Sequence, residues 1–225
     1  MRNHPLDCPI WSALTSRQAA FGSNGALARR FREDIGPFAA AADDSEAAAA
    51  ELAALAHADD DMSLLERAPP APPPGIELKL NAAGVQMVLS ALKPGPEIAF
   101  DHLGDMDAPD MIALATLTRP GPFRARTHTL GRFIGVRNQG QLVAMAGERL
   151  QTEAFIEVSG ICTHPDHRGR GLAAALTVAV TERILREGKT PFLHAYASNT
   201  GAIALYRKLG FEHRCDVTHA IWSRA

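Results

Sequence analysis

The segment from residue 154 to residue 211 constrains the fold most, because strand and helix patterns alternate along it and glycines mark where its helices end. A strand pattern over about 154–163 precedes a helical pattern over 171–187, in which apolar residues recur every four positions. A second strand is predicted at 192–196 and a second helix at 199–209. This order predicts a β-α-β crossover between parallel strands, followed by a helix and a terminal strand.

The segment before this crossover predicts an antiparallel meander. Strand patterns at 97–100, 132–136 and 141–147 accompany a helix at about 107–117, and the turn Asn138-Gln139-Gly140 joins the last two strands in a hairpin. The fold class is therefore expected to be mixed α/β, with a mostly antiparallel sheet flanked by helices.

The first part of the chain differs in composition from the rest. The turn Lys93-Pro94-Gly95-Pro96 marks the predicted boundary between residues 1–95, an N-terminal extension, and residues 96–225, a second domain. Helical patterns occur at 9–33, 39–58 (with Asp43, Asp44 or Ser45 as its cap) and 82–92, strand patterns at 62–66 and 76–80, and a proline run at 69–74. The extension is expected to be a partly helical α/β unit, and its paired helices and two strand patterns suggest a degenerate half-copy of the second domain.

The net charge, the cysteine spacing and the lack of long apolar segments argue against several kinds of partner and site. The formal net charge of -2 gives no electrostatic reason to expect binding to nucleic acid or to an anionic membrane. The cysteines Cys8, Cys162 and Cys215 form no CxxC pair, so neither a zinc ribbon nor a disulfide framework is expected. With no apolar signal segment in the first residues and no run of transmembrane length, the protein is expected to be soluble and cytoplasmic.

A glycine-arginine turn at 164–171 is the strongest candidate for a binding site. Gly169 and Gly171 leave backbone amides open to an anion, and the start of the next helix and two arginines, Arg168 and Arg170, add positive charge. A pyrophosphate suits such a turn, and a tight turn with solvated arginines fits it equally well. A dinucleotide fingerprint ending at Ala174 fails because only 51 residues follow it, and the chain has no Walker motif.

Two motifs together resemble the GNAT superfamily of N-acetyltransferases. Arg168-Gly169-Arg170-Gly171-Leu172-Ala173 is similar to the family's [QR]-x-x-G-x-[GA] signature. About 30 residues downstream, the stretch from Asn199 to Phe211 resembles its N-x-x-A-x-x-L-Y-x-x-x-G-F signature. The resemblance covers roughly 97–225 and is strongest after residue 154.

The resemblance implies a GNAT-like sheet in which two central parallel strands splay apart and admit the pantetheine arm of acetyl-coenzyme A. A β-bulge near Ser159-Gly160 is expected to help open the gap. An amide of the splayed strand is expected to stabilise the oxyanion of the tetrahedral intermediate. The residues expected to bind the acetyl-coenzyme A are Ile161, Cys162, Thr163, Arg168, Gly169, Arg170, Gly171, Leu172, Ala173, Asn199, Ala202 and Tyr206.

The resemblance also implies two catalytic residues. Tyr206 occupies the position of the family's tyrosine and is expected to donate a proton to the departing thiolate. Glu157 is placed as the glutamate base of many family members is, and strand alternation predicts that Glu157, Ser159 and Ile161 share the face toward the cleft. A water relay is the alternative to Glu157, and a structural ion pair is its alternative role.

Other polar residues carry weaker hypotheses. His164 and His167 flank a turn without a third ligand, so no metal is expected. His194 is predicted to be a core histidine or to line the acceptor pocket, and Cys162 to pack beside the cofactor, because direct transfer needs no acyl-enzyme. The loop at 118–129, with Arg124, Arg126 and His128, is either a lid over the acceptor or a solvated loop.

The predicted function is transfer of an acetyl group from acetyl-coenzyme A to a primary amine by direct attack in a ternary complex. The alternative is a non-catalytic acyl-coenzyme A-binding or regulatory module of the same fold. The expected partners are acetyl-coenzyme A and an amine acceptor, either a small molecule or a peptide, with no nucleic acid and no membrane. The protein is expected to be a monomer or a homodimer.

Overall fold

The structure of the protein is a computed structural model, and it describes residues 4–57 and 59–224. The strands are β1 (Ala28–Arg30), β2 (Ala39–Ala41), β3 (Met62–Glu66), β4 (Ile76–Leu89), β5 (Asp101–Leu103), β6 (Phe133–Asn138), β7 (Gln141–Gln151), β8 (Phe155–Thr163), β9 (Thr190–Tyr196) and β10 (Phe211–Arg224). The α-helices are α1 (Pro9–Leu14), α2 (Glu46–Ala54), α3 (Ala108–Thr118), α4 (Leu172–Arg186) and α5 (Thr200–Lys208). Among the described residues, no helix is both long and apolar enough to cross a bilayer.

The larger sheet has the strand order β3-β10-β4-β9-β8-β7-β6-β5 within the described residues, and β1 and β2 form a separate antiparallel pair. Only β8 and β9 pair in parallel in the larger sheet as described, and every other neighbouring pair is antiparallel. Apolar residues of α4, Leu176, Val180 and Ile184, pack on the central strands. The predicted mixed α/β class with a mostly antiparallel, helix-flanked sheet is confirmed.

The two central parallel strands separate soon after they meet. Residues 155–157 of β8 pair with 190–192 of β9, and the pairing stops there. Further along, β9 pairs with β4, and β8 pairs with β7. A gap therefore opens between β8 and β9, as the family resemblance implied.

A β-bulge in β8 accompanies this gap. Met145 and Gly147 of β7 pair with Cys162 and Ser159 of β8, so β8 carries one residue more than its partner between the two pairs. The backbone of Gly160 adopts the left-handed φ of 64° inside this stretch, a conformation that glycine reaches without a steric penalty. The bulge predicted near Ser159-Gly160 is confirmed.

The same bulge corrects the prediction that Glu157, Ser159 and Ile161 share one face. An extra residue shifts the two-residue alternation of a strand, so side chains beyond the bulge exchange faces. Ile156, Val158 and Ile161 accordingly lie in one apolar cluster under α4, while Cys162 packs with α3 on the other face. Ile161 and Glu157 therefore lie on opposite faces of β8.

Several elements of the first 95 residues differ from the sequence predictions. The helix predicted at 82–92 is wrong, because this segment belongs to β4 and pairs with β10 on one side and β9 on the other. The helical pattern that begins at Ala39 starts with β2, and its helix runs only from Glu46, with the predicted cap Ser45 accepting a hydrogen bond from the amide of Ala48 at 3.2 Å. Tertiary pairing has overridden local helix propensity in both places.

Further differences are smaller. The second half of the helical pattern at 9–33 contains β1, and the strand predicted at 97–100 is displaced to Asp101–Leu103. The hairpin of β6 and β7, the helix α4 and the strand β9 match their predicted positions closely.

Strands from before the predicted boundary complete the larger sheet. β4 lies between β9 and β10, and β3 pairs with the outer side of β10. Leu52, Met62 and Leu64 share an apolar cluster with Trp222 of β10. The division of the chain into domains 1–95 and 96–225 stays a prediction, and the sheet itself is continuous across it.

Candidate active site

A cavity of about 270 Å³ lies over the gap between β8 and β9 and extends across the sheet toward β10. We call the part beside the gap the splay end; it is lined by Ile161, Cys162, Thr163, Arg168, Asn199, Ala202 and Tyr206. We call the opposite part the β10 end; it is lined by Phe38, Leu65, Gly84, Arg149, His194, Tyr196 and His219. The remaining lining residues are Thr118, Arg119, Pro120, Gly121, Pro122 and Ala195.

The splay end contains residues from both motifs that were singled out in the sequence. The predicted residues 169–173 do not line the cavity but continue directly from Arg168 into the start of α4. The predicted residue Glu157 does not line it either. The residues of the two motifs that line the cavity therefore all lie at its splay end, and they come from two short segments of the chain.

The glycine-arginine turn has a backbone that only glycine adopts readily. Gly169 and Gly171 have left-handed φ angles of 75° and 76°, and Gly171 is the N-cap of α4 without a side-chain cap. The first amides of an α-helix have no partner within the helix. The amides at the start of α4 therefore remain available, next to the exposed side chains of Arg168 and Arg170, for an anion.

Tyr206 of α5 places its phenol at the cavity. Its side chain is 7% exposed, and burial raises the pKa of Tyr206 to about 12. The hydroxyl makes no hydrogen bond to any other described residue, and the ring packs edge-on against Phe211 at 6.3 Å between centroids. The phenol is therefore protonated at neutral pH and can donate a proton into the cavity.

Asn199 holds the start of the helix that carries this tyrosine. Its side-chain oxygen accepts a hydrogen bond from the backbone amide of Ala202 at 3.2 Å, which makes Asn199 the N-cap of α5. Tyr206 follows two helical turns later. The asparagine of the motif therefore fixes the position of α5 as well as lining the cavity.

Glu157 is buried and fully engaged by other side chains. Its carboxylate accepts hydrogen bonds from Arg149 Nε at 2.8 Å and Nη2 at 2.6 Å, and lies 2.7 Å from His194 Nδ1. Burial alone would raise the pKa of Glu157, but the charge and hydrogen bonds of Arg149 and the contact with His194 lower it to about 2. The carboxylate is therefore ionised and faces its partners.

His194 is held by contacts at both ring nitrogens. Gln86 Nε2 lies 3.0 Å from His194 Nε2, while Gln86 Oε1 accepts from Arg214 Nη1 at 2.8 Å. An amide nitrogen only donates, so Nε2 of His194 accepts, and Nδ1 carries the proton that is donated to Glu157. The imidazole is thus neutral with a fixed tautomer, and it connects β4, β8 and β9.

His219 of β10 differs from His194, since one of its ring nitrogens lacks a partner. Nδ1 lies 2.8 Å from the hydroxyl of Tyr196, whereas Nε2 is buried without a hydrogen-bond partner among the described residues. The side chain is 6% exposed. Burial first, and then the charge of Arg149, lower the pKa of His219 to about 4, so the ring is neutral at pH 7.

The loop after α3 covers part of the cavity. Arg119 ends α3 with a left-handed φ of 51°, and Thr118 through Pro122 line the cavity. The basic side chains predicted in this loop contact acidic residues outside the cavity. Arg124 bonds to Asp60, Arg126 Nη1 lies 3.5 Å from Asp34 Oδ2, and His128 Nε2 lies 2.8 Å from Asp105 Oδ1. These contacts tie the second half of the loop to its surroundings, mainly to the N-terminal part of the chain.

Cys162 and the histidine pair at 164 and 167 have ordinary structural surroundings. Burial raises the pKa of the Cys162 thiol to about 11, so it is protonated at neutral pH. His164 Nδ1 accepts from the amide of Asp166 at 3.3 Å, and the two imidazole rings contact each other edge-on. Across residues 4–57 and 59–224, no group of three or more His, Cys, Asp or Glu side chains is placed to hold a metal ion.

Several lining residues were not predicted from the sequence, among them Phe38, Arg149, Tyr196 and His219. They come from segments that lie far apart in the chain, and none belongs to a motif. No spacing in the sequence could have found them, because their segments are brought together by the sheet order β3-β10-β4-β9-β8-β7 and by the bridge between Phe38 and Ser63 of β3.

Comparison with known proteins identifies the family. A family model described as FR47-like protein matches residues 133–223. A solved structure of a protein from Novosphingobium aromaticivorans DSM 12444, assigned to the GNAT family of acetyltransferases, is 42% identical over 99% of this chain and 100% of its own, with a TM-score of 0.91. The chain belongs to the GNAT family.

More distant GNAT structures share the fold. A GCN5-related N-acetyltransferase from Kribbella flavida is 20% identical, covers 95% of this chain and 92% of its own, and has a TM-score of 0.60. A GCN5-related N-acetyltransferase-like protein from Streptococcus suis 89/1591 is 17% identical, with a TM-score of 0.55. The match covers 97% of this chain and 96% of the Streptococcus suis protein. A comparison with curated proteins finds no match. Membership of this GNAT family supports acyl transfer in general as the activity of the chain.

Proposed function

We propose that this GNAT protein transfers the acetyl group of acetyl-coenzyme A directly to a primary amine. The observation that carries the proposal is the cavity that joins the glycine-arginine turn, the gap between β8 and β9, and the phenol of Tyr206. Each supplies one requirement of the reaction: an anion site, a place for the thioester arm and a proton donor.

Binding of the donor begins with its phosphates. The open amides at the start of α4, together with Arg168 and Arg170, suit a pyrophosphate. The pantetheine arm then lies in the gap, where β8 beyond Glu157 has no partner strand on the side of β9. Backbone groups left free along a strand edge pair with an extended ligand as they would with another strand.

The chemical step needs stabilisation of charge on the thioester. Attack of the amine nitrogen on the carbonyl carbon places negative charge on the carbonyl oxygen, and an amide of the splayed β8 donates to that oxygen. The C–S bond then breaks, and Tyr206 donates its proton to the sulfur as coenzyme A leaves. Cys162, whose thiol stays protonated, is not needed as a nucleophile.

We assign Glu157 a positioning role. Its carboxylate is saturated by Arg149 and His194 and is a weak proton acceptor, with a pKa of about 2. Its interactions fix the orientation of two side chains that line the β10 end of the cavity. A general base role for Glu157 is therefore not part of the proposal.

The charges of the side chains that line the cavity indicate how many amines the acceptor has. The cavity lining drawn from the described residues contains arginines and histidines and no Asp or Glu. A second ammonium group on the acceptor would find no carboxylate there to offset its desolvation. We therefore propose an acceptor with a single amine rather than a polyamine.

The test is the release of free coenzyme A thiol across a panel of amines that contains monoamines, amino acids, short peptides and spermidine. The proposal predicts turnover with at least one single-amine acceptor and less with spermidine. Acetyl-coenzyme A that binds tightly but turns over with no amine would contradict it and indicate a binding module.

Calorimetry separates donor binding from turnover. The double variant Arg168→Ala with Arg170→Ala is expected to bind coenzyme A at least about 10-fold more weakly, since each charge-assisted hydrogen bond contributes roughly 1.5–3 kcal/mol. The matched control removes Arg17 and Arg186, two exposed arginines that do not line this cavity. Equal affinities in the two double variants would contradict the pyrophosphate site.

A further inference from the structure

The β10 end of the cavity contains a buried imidazole nitrogen that the fold leaves without a partner. His219 is more than nine-tenths buried, and its Nε2 has no hydrogen-bond partner among the described residues, although the side chain lines the cavity. Buried polar atoms in folded proteins are almost always hydrogen-bonded. An unpaired buried nitrogen on a side chain that lines a cavity therefore points to a group that arrives with a ligand.

No other described side chain at this cavity offers a free proton-accepting atom of comparable basicity. The carboxylate of Glu157 is occupied by Arg149 and His194, and both ring nitrogens of His194 are used. The Cys162 thiol and the Tyr206 phenol have raised pKa values and remain protonated at neutral pH. His219 is the group that remains.

We propose that Nε2 of His219 accepts the proton that the acceptor amine loses during acetyl transfer, an inference that rests on the proposed function. The nitrogen of the neutral amine attacks the thioester carbon, and the new C–N bond leaves a positive charge and an acidic proton on nitrogen. That proton moves to Nε2, the C–S bond breaks, and the sulfur receives a proton from Tyr206. The amide product and the free thiol together contain every atom of the two substrates.

Tyr196 provides an exit for the proton. Its hydroxyl lies 2.8 Å from Nδ1 of His219, and its side chain is 40% exposed. With Nδ1 protonated at rest, uptake of a proton at Nε2 allows Nδ1 to release its own to the Tyr196 hydroxyl and onward to solvent. The pair thus returns to neutrality after each turnover, while Tyr206 is reprotonated from solvent.

The charged and titratable groups around His219 keep the imidazole neutral before the reaction. Arg149 on β7 lies near it, with its charge offset by Glu157 on β8, and His194 and Tyr196 face it from β9. On the adjacent strands, the residues directly opposite are the apolar Leu65 of β3 and Ala82 of β4. With its proton on Nδ1, the tautomer that donates to the Tyr196 hydroxyl, the neutral ring leaves the Nε2 lone pair free. The proton is transferred only once attack has made the nitrogen of the acceptor acidic.

The test compares His219→Gln and His219→Ala with the matched control His213→Gln, which changes an exposed histidine on the same strand. At saturating acetyl-coenzyme A and a single-amine acceptor, we expect kcat to fall about 100-fold in both His219 variants, the scale of general base catalysis. Calorimetric affinity for coenzyme A is expected to be unchanged, and His213→Gln is expected to match the wild type.

Added imidazole distinguishes a role of His219 in proton transfer from a role in packing. We expect it to restore activity to His219→Ala in a saturable manner and to leave the wild type unaffected. A loss of less than 10-fold, or a loss that imidazole does not restore, would overturn the proposal. Failure of the wild type to release thiol with any amine would instead contradict the proposed function, so the two outcomes are distinguishable.

Discussion

The two ends of the cavity are built from the chain in different ways. The splay end is made by two segments that are short and local, 161–168 and 199–206, so its residues keep a fixed spacing in the sequence. The β10 end is made by seven residues from six separate strands or loops, from Phe38 to His219. A site built from one local segment can be recognised as a motif in the sequence, whereas a site assembled from several strands of a sheet cannot.

The difference extends to the forces that hold each end. Backbone conformation dominates the splay end: left-handed glycines, a bulge and the open start of a helix. Side-chain contacts dominate the β10 end, where Arg149, Glu157, His194 and Gln86 form one buried network. Substitutions should therefore affect the two ends through different mechanisms and by different amounts.

The largest effect is expected from Glu157→Ala, which leaves Arg149 buried without its counter-charge. Removing one partner of a buried ion pair costs about 3–5 kcal/mol, so the free energy of unfolding in urea should fall by that amount. Glu153→Ala, at an exposed glutamate just before the same strand, is the matched control and should change it by less than about 0.5 kcal/mol. Equal stability of the two variants would show that the network does not hold the β10 end.

Acid should weaken the β10 end in two stages. A group whose pKa is lowered on folding stabilises the protein above its unfolded pKa, and that contribution is lost as the pH falls through the folded pKa. For His219 this window runs from 6.5 to about 4, and for Glu157 from 4.5 to about 2. Each stage is on the order of 3 kcal/mol, because folding lowers the two pKa values by similar amounts.

Urea denaturation between pH 8 and pH 3 measures both stages. In His219→Gln the loss of stability between pH 6.5 and pH 4 should shrink, while the loss at lower pH remains. A wild-type stability that does not change between pH 6.5 and pH 4 would contradict the burial of a neutral His219.

At the splay end, Gly171→Ala should destabilise the protein by about 1–2 kcal/mol, because a side chain is strained at a left-handed φ and Gly171 has φ 76°. Coenzyme A binding should weaken as well, since the amides at the start of α4 shift. Gly201→Ala is the control: an added Cβ there meets nothing within 4 Å and φ is not positive, so it should stabilise the helix α5 by about 0.4–1 kcal/mol. The free energy of unfolding should therefore fall in Gly171→Ala and rise in Gly201→Ala, and changes of the same sign in both variants would contradict the prediction.

The smallest effect is expected from Asn199→Ala, which removes the cap of α5 at a cost of about 1 kcal/mol. Amide hydrogen exchange should increase in the first turn of α5, and kcat should fall because Tyr206 is less firmly placed. Asn199→Ser keeps a capping oxygen and should restore most of the protection. If Asn199→Ala lowers coenzyme A affinity without changing exchange in α5, the residue acts as a ligand rather than as a cap.

The sequence predicted those elements whose local residue pattern favours the same structure as their tertiary contacts do. The helix at 172–186, the hairpin of β6 and β7 and the bulge at Gly160 were all readable, because each depends on residues close in the chain. β4 was misread as part helix, since its alanines favour helix and only pairing with β9 and β10 makes it a strand. The face of Ile161 was misread because a bulge shifts the alternation on which the prediction relied.

For the candidate site, the motif residues at the splay end were predictable by family resemblance. The surroundings of Glu157 were not, because its partners Arg149 and His194 are eight and 37 residues away and nothing in their spacing indicates a contact. His219 could be recognised only after the structure showed which buried nitrogen lacks a partner.

The variant Tyr206→Phe tests the proposed function most directly, through its rate of thiol release from acetyl-coenzyme A with a single-amine acceptor at saturating substrates. The variant keeps the ring that packs on Phe211 and removes only the proton donor. We expect kcat to fall about 100-fold or more, with unchanged coenzyme A affinity. A kcat equal to that of the wild type would contradict the assignment of this cavity as the place where the acetyl group is transferred.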